Sequence, residues 1–215
     1  MNSMWKIAAL SMALMATGSA AAATDGKVNF CGDLKNAFGP FDYRTRGEHS
    51  NDFDLVEGGH FTADVENGIR GSSGAIGGDL DYTLRAIPNH HRALATLAKV
   101  AVRSKTLQVP GARYPVECYF ERASRFQPND GGVKAEYGNY LYAMGKPDKA
   151  FLMFKEAVDL SPDNPTINYN VGLSYYQRKD YDNALLYAKK AYALGFPLPG
   201  LKNKLAAAGK WNDKP

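Results

Sequence analysis

Residues 131–164 read GGVKAEYGNYLYAMGKPDKAFLMFKEAVDLSPDN, and the 34 residues that follow, 165–198, read PTINYNVGLSYYQRKDYDNALLYAKKAYALGFPL. Small residues recur between the two stretches at a constant offset of 34 residues, in the pairs Gly138 and Gly172, Ala150 and Ala184, and Ala157 and Ala191. A period of this length with small residues at fixed places is typical of helix–turn–helix repeats. The two helices of such a hairpin cross closely where the side chains are smallest, so the pattern predicts stacked helical hairpins.

The first stretch resembles the tetratricopeptide repeat family. That family has a small residue at the eighth position of the repeat, Ala at the twentieth, an aromatic residue at the twenty-fourth, Ala at the twenty-seventh and Pro near the end. Residues 131–164 carry all five marks, as Gly138, Ala150, Phe154, Ala157 and Pro162. Residues 165–198 carry three of them, and they depart from the pattern at Ala188 (the aromatic position) and at Phe196-Pro197 (near the closing proline).

The register extends towards the N-terminus in a weaker form. One period before Phe154, Ala157 and Pro162 lie Phe120, Ala123 and Pro128. This predicts a degenerate repeat over residues 89–130. Its first helix (helix A) is His91–Arg103, capped by Asn89, and its second (helix B) is Pro115–Phe126.

The two ends of the array are predicted with less regular elements. A further degenerate repeat over residues 60–88 would have Thr62–Ile69 as helix A and Asp79–Ala86 as helix B, joined by a flexible Gly-rich turn at 71–78. After the last repeat, Gly200–Ala208 is predicted as a capping helix. Its polar face carries Lys202, Asn203 and Lys204.

Residues 24–59 show little helical periodicity but contain many aromatic residues. We therefore expect an ordered but irregular N-terminal arm whose rings lie against the repeats. The predicted fold is all-α: a right-handed α-solenoid of about three to four tetratricopeptide-like hairpins over residues 60–210, with a C-terminal capping helix.

The first 23 residues have the pattern of a cleavable export signal. Lys6 precedes a short apolar run, Ile7–Ala16, and Ala21-Ala22-Ala23 fits a cleavage site. The run is shorter than the roughly 20 residues of a spanning helix. Mature protein would therefore begin near Thr24, with no stable membrane span, and would be periplasmic or secreted. The alternative is a retained N-terminal anchor.

The chain has two cysteines, Cys31 and Cys118. In an oxidising compartment an isolated pair is often a disulfide, and this one would close a loop of 87 residues. The alternative is two buried free thiols. The formal charge of +4 comes with no basic run, so we expect no nucleic-acid partner, and the sequence leaves oligomerisation open.

The sequence contains no recognisable catalytic or metal-binding motif. All four histidines fall in one region, as His49, His60, His90 and His91. We expect them to be surface or capping residues in a protein without cofactor, metal or enzymatic activity. A metal-binding or enzymatic N-terminal region that uses these histidines is the alternative.

In the family that the repeats resemble, helix A lines a concave groove. The resemblance implies that the groove residues here are Asn139, Tyr142, Tyr169, Asn170, Leu173 and Tyr176. Asn can pair with a peptide backbone, and Tyr offers an apolar ring with a polar tip. The family's acidic-tail clamp also uses Asn at the positions of Asn139 and Asn170, but Ala135 stands where that clamp has Lys. Ordinary packing between repeats is the alternative role for these residues.

The resemblance thus implies a non-enzymatic interaction module or scaffold of the bacterial cell envelope, which binds a polypeptide partner in its concave groove. The alternative from the same fold is a structural subunit of an envelope or extracellular assembly.

Overall fold

The computed structural model describes residues 30–212, and this part of the chain contains ten α-helices and no β-strand. After a 3-10 helix at Tyr43–His49, the α-helices are α1 (Ser50–His60), α2 (Ala63–Glu66), α3 (Ile76–Ala86), α4 (His91–Arg103), α5 (Val116–Phe126), α6 (Gly131–Ala143), α7 (Pro147–Leu160), α8 (Pro165–Gln177), α9 (Tyr181–Ala193) and α10 (Gly200–Ala207). The predicted signal, 1–23, lies outside the described residues. None of the described helices is long and apolar enough to cross a membrane.

The helices stack as the 34-residue register predicts. α6 packs on α7 and α8 packs on α9, while α4 packs on both α5 and α6. The A helices α4, α6 and α8 are therefore neighbours along the array, and the predicted all-α solenoid is confirmed.

Short polar side chains and prolines set where the repeat helices begin. The carboxylate of Asp130 accepts hydrogen bonds from the backbone N–H groups of Gly132 and Val133 at the start of α6. Asn164 caps α8 in the same way, through the N–H of Ile167. Such caps satisfy N–H groups that have no partner inside the helix.

The two small residues at the helix crossings are in close contact with helix B or its neighbour. A Cβ atom added at Gly138 would lie 2.6 Å from the ring of Phe154 in α7. One added at Gly172 would lie 2.8 Å from Leu201 and 3.2 Å from the backbone of Ala184. A larger side chain at either position would require its neighbours to move.

The last repeat is closed by α10, as expected. Leu201 and Leu205 are fully buried against α8 and α9, whereas Lys202 and Lys204 are exposed. Beyond the helix, Trp211 packs edge-on against Tyr192 of α9, with 5.9 Å between ring centroids.

The arm contains more helix than predicted. Residues 30–42 have no regular element, but a 3-10 helix and α1 follow, so the arm is not irregular up to residue 59. In α1, only Phe53 and Val56 are buried, and they pack on Ala86 and Ile87 at the end of α3. Two buried apolar positions are too few to give a helical period that can be recognised in the sequence. The helix forms nevertheless, because its tertiary contacts stabilise it.

The predicted first hairpin also needs correction. Thr62–Ile69 is not a full helix A, since only the single turn α2 forms there, and α1 packs on α3 instead. Helix B begins at Ile76 rather than Asp79, so part of the Gly-rich turn is helical. Gly77 makes this possible, because its Cα faces the carbonyl of Pro110 with no room for a side chain.

Asn89 does not cap α4. The cap is His90, whose Nδ1 accepts a hydrogen bond from the N–H of Ala93 (3.2 Å). Asn89 is buried and holds the arm instead: its side chain donates to Asp42 (2.7 Å) and Asp130 (2.8 Å). The Asn89 amide thus bonds to residues distant in sequence instead of capping the helix that follows it.

A disulfide between Cys31 and Cys118 ties the arm to α5. One turn along the same helix, the buried Arg122 donates hydrogen bonds to the carbonyl oxygens of Cys31 (3.1 Å) and Asp33 (2.6 Å). The arm therefore lies on a B helix.

The close crossings give a test of the register. Gly138→Leu and Gly172→Leu should each lower the free energy of unfolding by about 1–3 kcal/mol or more, because the added side chain forces the helices apart. Urea titration followed by circular dichroism measures this. Ala193→Leu, on the exposed end of α9, is the control and should have little effect. If both glycine variants were as stable as wild type, the assignment of crossings would be wrong.

Candidate functional site

The A helices α4, α6 and α8 form one surface, and two clefts run along it. The first, the α4/α6 cleft, has a volume of about 440 Å³. It is lined by Ala95, Ala98, Lys99, Val102 and Arg103 of α4 and by Glu136, Asn139, Tyr140 and Ala143 of α6. Three alanines, a valine and a tyrosine line it together with four polar or charged residues, and most of the lining surface is apolar.

The second, the α6/α8 cleft, is narrower and more polar. It has a volume of about 50 Å³ and is lined by Asn139, Tyr142, Phe154, Asn170, Leu173, Ser174 and Gln177. A further cavity of about 190 Å³ lies beside it, where Glu136 and Asn170 meet His91 at the start of α4. Asn139 lines both clefts and therefore joins them.

The structure brings together four of the six residues predicted for the groove: Asn139, Tyr142, Asn170 and Leu173 line the α6/α8 cleft. The Asn170 amide donates a hydrogen bond to Oδ1 of Asn139 (3.3 Å), and the Asn139 amide donates to Glu136 (3.2 Å). Tyr142 is 45% exposed. These side chains form a polar strip with one exposed aromatic ring.

The other two predicted residues pack against the C-terminal cap. Tyr169 stacks on Phe196 with 4.1 Å between ring centroids. Tyr176 meets Tyr181 edge-on at 5.6 Å, and the Lys204 ammonium lies 5.9 Å from its ring centroid. These two tyrosines therefore pack at the end of the array. Packing between repeats is the alternative role that the sequence left open for the groove residues.

The α4 side of the larger α4/α6 cleft was not predicted from the sequence. Counting the repeat from His91 places Ala95 at the fifth position, Lys99 at the ninth and Val102 at the twelfth. These are the positions from which the groove residues of α6 and α8 were chosen. Applying the same register to the degenerate repeat would have found this wall.

Glu136 occupies the middle of the surface and is half-buried. Desolvation raises the pKa of its carboxyl group, although the hydrogen bond from Asn139 and the nearby His91 act in the opposite direction. A raised pKa means that the folded protein takes up this proton more readily than the unfolded chain. Its favourable contribution is therefore present at low pH and is lost as the pH rises through the folded-state pKa.

This sign predicts the effect of neutralising the side chain. Glu136→Gln should stabilise the protein at neutral pH. The gain should shrink as the pH falls through the raised folded-state pKa of Glu136 and should be absent below about 4, where the carboxyl is protonated in both the folded and the unfolded chain. Thermal unfolding across this pH range measures the difference. Glu48→Gln, on the exposed surface of the arm, is the control. A gain that is independent of pH would show that burial of charge at Glu136 is not its cause.

The histidines do not gather into one site. His90 contacts Glu57 (3.0 Å), His91 contacts Asp130 (2.8 Å) and His60 contacts Asp79 (2.9 Å). His49 lies near Asp52 instead (3.7 Å). Within residues 30–212, there is no group of three or more His, Cys, Asp or Glu side chains placed to hold a metal ion.

Burial lowers the pKa of His90, while its partner Glu57 acts to raise it. In the same pair, the hydrogen bond from His90 lowers the pKa of Glu57. The pair lies beneath the arm, because His90 stacks on Tyr43 at 4.3 Å between ring centroids. These contacts explain the burial of His90 by its role in holding the arm on the repeats.

Comparison with known proteins supports this description of the fold. The tetratricopeptide repeat family matches residues 137–195, from within α6 to just after α9. No curated protein sequence matches the chain.

Several solved structures are similar to the chain, and three of them represent the range. The structure from the functional characterisation of Pseudomonas aeruginosa pilF has 20% identity and a TM-score of 0.52, over 77% of this chain and 72% of that chain. MamA has 16% identity and a TM-score of 0.47, over 78% and 86%. YrrB, described as a tetratricopeptide protein with an unusual peptide-binding site, has 22% and 0.43, over 62% and 64%. At 20% identity, the similarity to the pilF structure shows a shared fold and nothing about function.

Proposed function

We propose that this tetratricopeptide repeat protein binds a segment of another polypeptide on the surface formed by α4, α6 and α8. The observation that carries the proposal is that two clefts on consecutive A helices share Asn139. They form one path across the array. The residues that line them come from α4, α6, α7 and α8, and none belongs to the arm, so the path is open.

The chemistry of the path suits a peptide. The Asn139 and Asn170 amides each carry donors and an acceptor, so they can bond to a main chain of any sequence. Their mutual hydrogen bond of 3.3 Å is long and exposed, and a peptide group can replace it with little loss. Tyr142 adds an exposed ring, a residue type that is enriched at binding hot spots.

This proposal predicts that Asn139→Ala combined with Asn170→Ala weakens partner binding and leaves the helices intact. Loss of an interface hot spot typically costs about 2 kcal/mol, or roughly thirtyfold in affinity. The measurement uses peptides selected on the wild-type protein from a random display library, with affinity read from fluorescence polarisation. Helix content is followed by circular dichroism.

Asn203→Ala, on the exposed face of α10, is the matched control and should bind as wild type does. Unchanged affinity in the double variant would remove the groove from consideration. The convex face or the arm would then be the better candidate for partner binding.

We further propose that the protein acts outside the cytoplasm, as a scaffold of the cell envelope. Two features support this: the export-signal pattern in residues 1–23 and the disulfide between Cys31 and Cys118, which is stable in oxidising compartments. In the chain-entropy model, a bond that closes a loop of 87 residues stabilises the fold by about 4–5 kcal/mol.

Exported protein should therefore begin near Thr24 and contain no free thiol. Intact-mass measurement of protein recovered from the periplasm or medium tests the first point, and thiol titration of denatured, unreduced protein tests the second. A mass that includes Met1–Ala23 would contradict cleavage. Two titratable thiols would contradict the disulfide.

A further inference from the structure

The α4/α6 cleft presents two cations on one edge, and this inference about its occupant rests on the proposed peptide-binding function. Lys99 and Arg103 lie one turn apart on α4 and are both exposed. The Lys99 ammonium donates to the carbonyl oxygen of Asn67 (3.5 Å), and the Arg103 guanidinium donates to that of Gly68 (2.6 Å). Both side chains line the cleft, and both have their charged ends fixed on backbone carbonyl groups just after α2.

Carbonyl oxygens position these cations without neutralising them. Among residues 30–212, the structure has no ion pair from Lys99 or Arg103 to a carboxylate. The contrast is Arg92, two turns earlier on α4, which pairs with Glu66. Lys134 of α6 likewise pairs with Glu156. The two cations therefore lack a carboxylate at salt-bridge distance among the described residues, so an acidic side chain of a partner can pair with them.

Glu136, whose carboxylate lies inside the cleft, does not pair with either cation. Glu136 lines the opposite wall, on α6, and its hydrogen bond comes from Asn139 rather than from Lys99 or Arg103. The cleft thus combines apolar walls (Ala95, Ala98 and Val102 of α4, with Ala143 of α6) with a positive rim on the α4 side.

We propose that the α4/α6 cleft takes an apolar segment of a partner polypeptide that carries acidic side chains on the side facing Lys99 and Arg103. Its volume of about 440 Å³ accommodates a small number of large apolar side chains. Their burial supplies the affinity, because it removes apolar surface from water. The acidic side chains pair with cations that are already positioned, so they fix the orientation of the segment and speed its association.

The test begins with the peptides selected from the random display library on the wild-type protein. They should combine aromatic or aliphatic residues with Asp or Glu. Lys99→Glu should lower the affinity of these peptides by about tenfold, and exchanging their acidic residues for Lys should restore part of the loss. Lys149→Glu changes the net charge equally from an exposed position on α7 and should leave affinity unchanged.

A second pair of variants tests the apolar part of the cleft. Ala143→Trp places a large ring into the cleft from the exposed last residue of α6 and should abolish binding of the same peptides. Ala193→Trp makes the same change at the exposed last residue of α9, away from the cleft, and should bind normally.

The outcomes separate this inference from the proposed function. Peptides without acidic residues, or with the same affinity for Lys99→Glu as for wild type, would overturn the charge assignment. If peptides of this kind bound the wild-type protein but not the Asn139→Ala, Asn170→Ala variant, the groove function would stand and only this inference would fail. If the library yielded no binding peptide at all, both would fail.

Discussion

The close approach of helix A to helix B is the constraint on which the array depends. At Gly172, an added Cβ atom would lie 3.2 Å from the backbone of Ala184 in α9 and 2.8 Å from the side chain of Leu201 in α10. The backbones of α8 and α9 therefore cross closely, and α10 packs directly on this crossing. One period earlier, Gly138 likewise leaves room for its helix B, here for the ring of Phe154 at 2.6 Å from an added Cβ atom, so α6 and α8 present their outward faces in the same register. The shared surface of the A helices follows from this repetition.

The parts of the fold that the sequence predicts are those set by periodic small residues and local caps. The helices from α4 to α10 follow from Gly138, Gly172, Phe154 and their repeats, because one packing solution is used again and again. The same register identifies Asn139 and Asn170 as neighbours across two helices, and the structure places them 3.3 Å apart. The groove prediction fails at Tyr169. The capping helix α10 ends the array there and covers a position that would face a groove in an internal repeat.

The arm could not be predicted in this way, since its structure comes from contacts between distant residues. Asn89 is a good helix cap by local rules, yet it bonds to Asp42 and Asp130, which are 47 and 41 residues away in sequence. Burial of these groups makes the tertiary bonds obligatory, because an unpaired buried amide costs about 1–3 kcal/mol. His90 then takes over the cap. A single sequence carries no period that signals such an exchange.

The polar strip also explains how one path can serve two clefts of different character. Asn139 bonds to Glu136 on the side of the α4/α6 cleft and to Asn170 on the side of the α6/α8 cleft. A peptide that bonds to Asn139 replaces one of these hydrogen bonds with another, and the net change for such an exchange is small. In the complex that we propose, the apolar α4/α6 cleft supplies the affinity, while the amides align the main chain of the peptide. Because all three side chains lie on the exposed or half-buried face of α6 and α8, the exchange leaves the close helix crossings undisturbed.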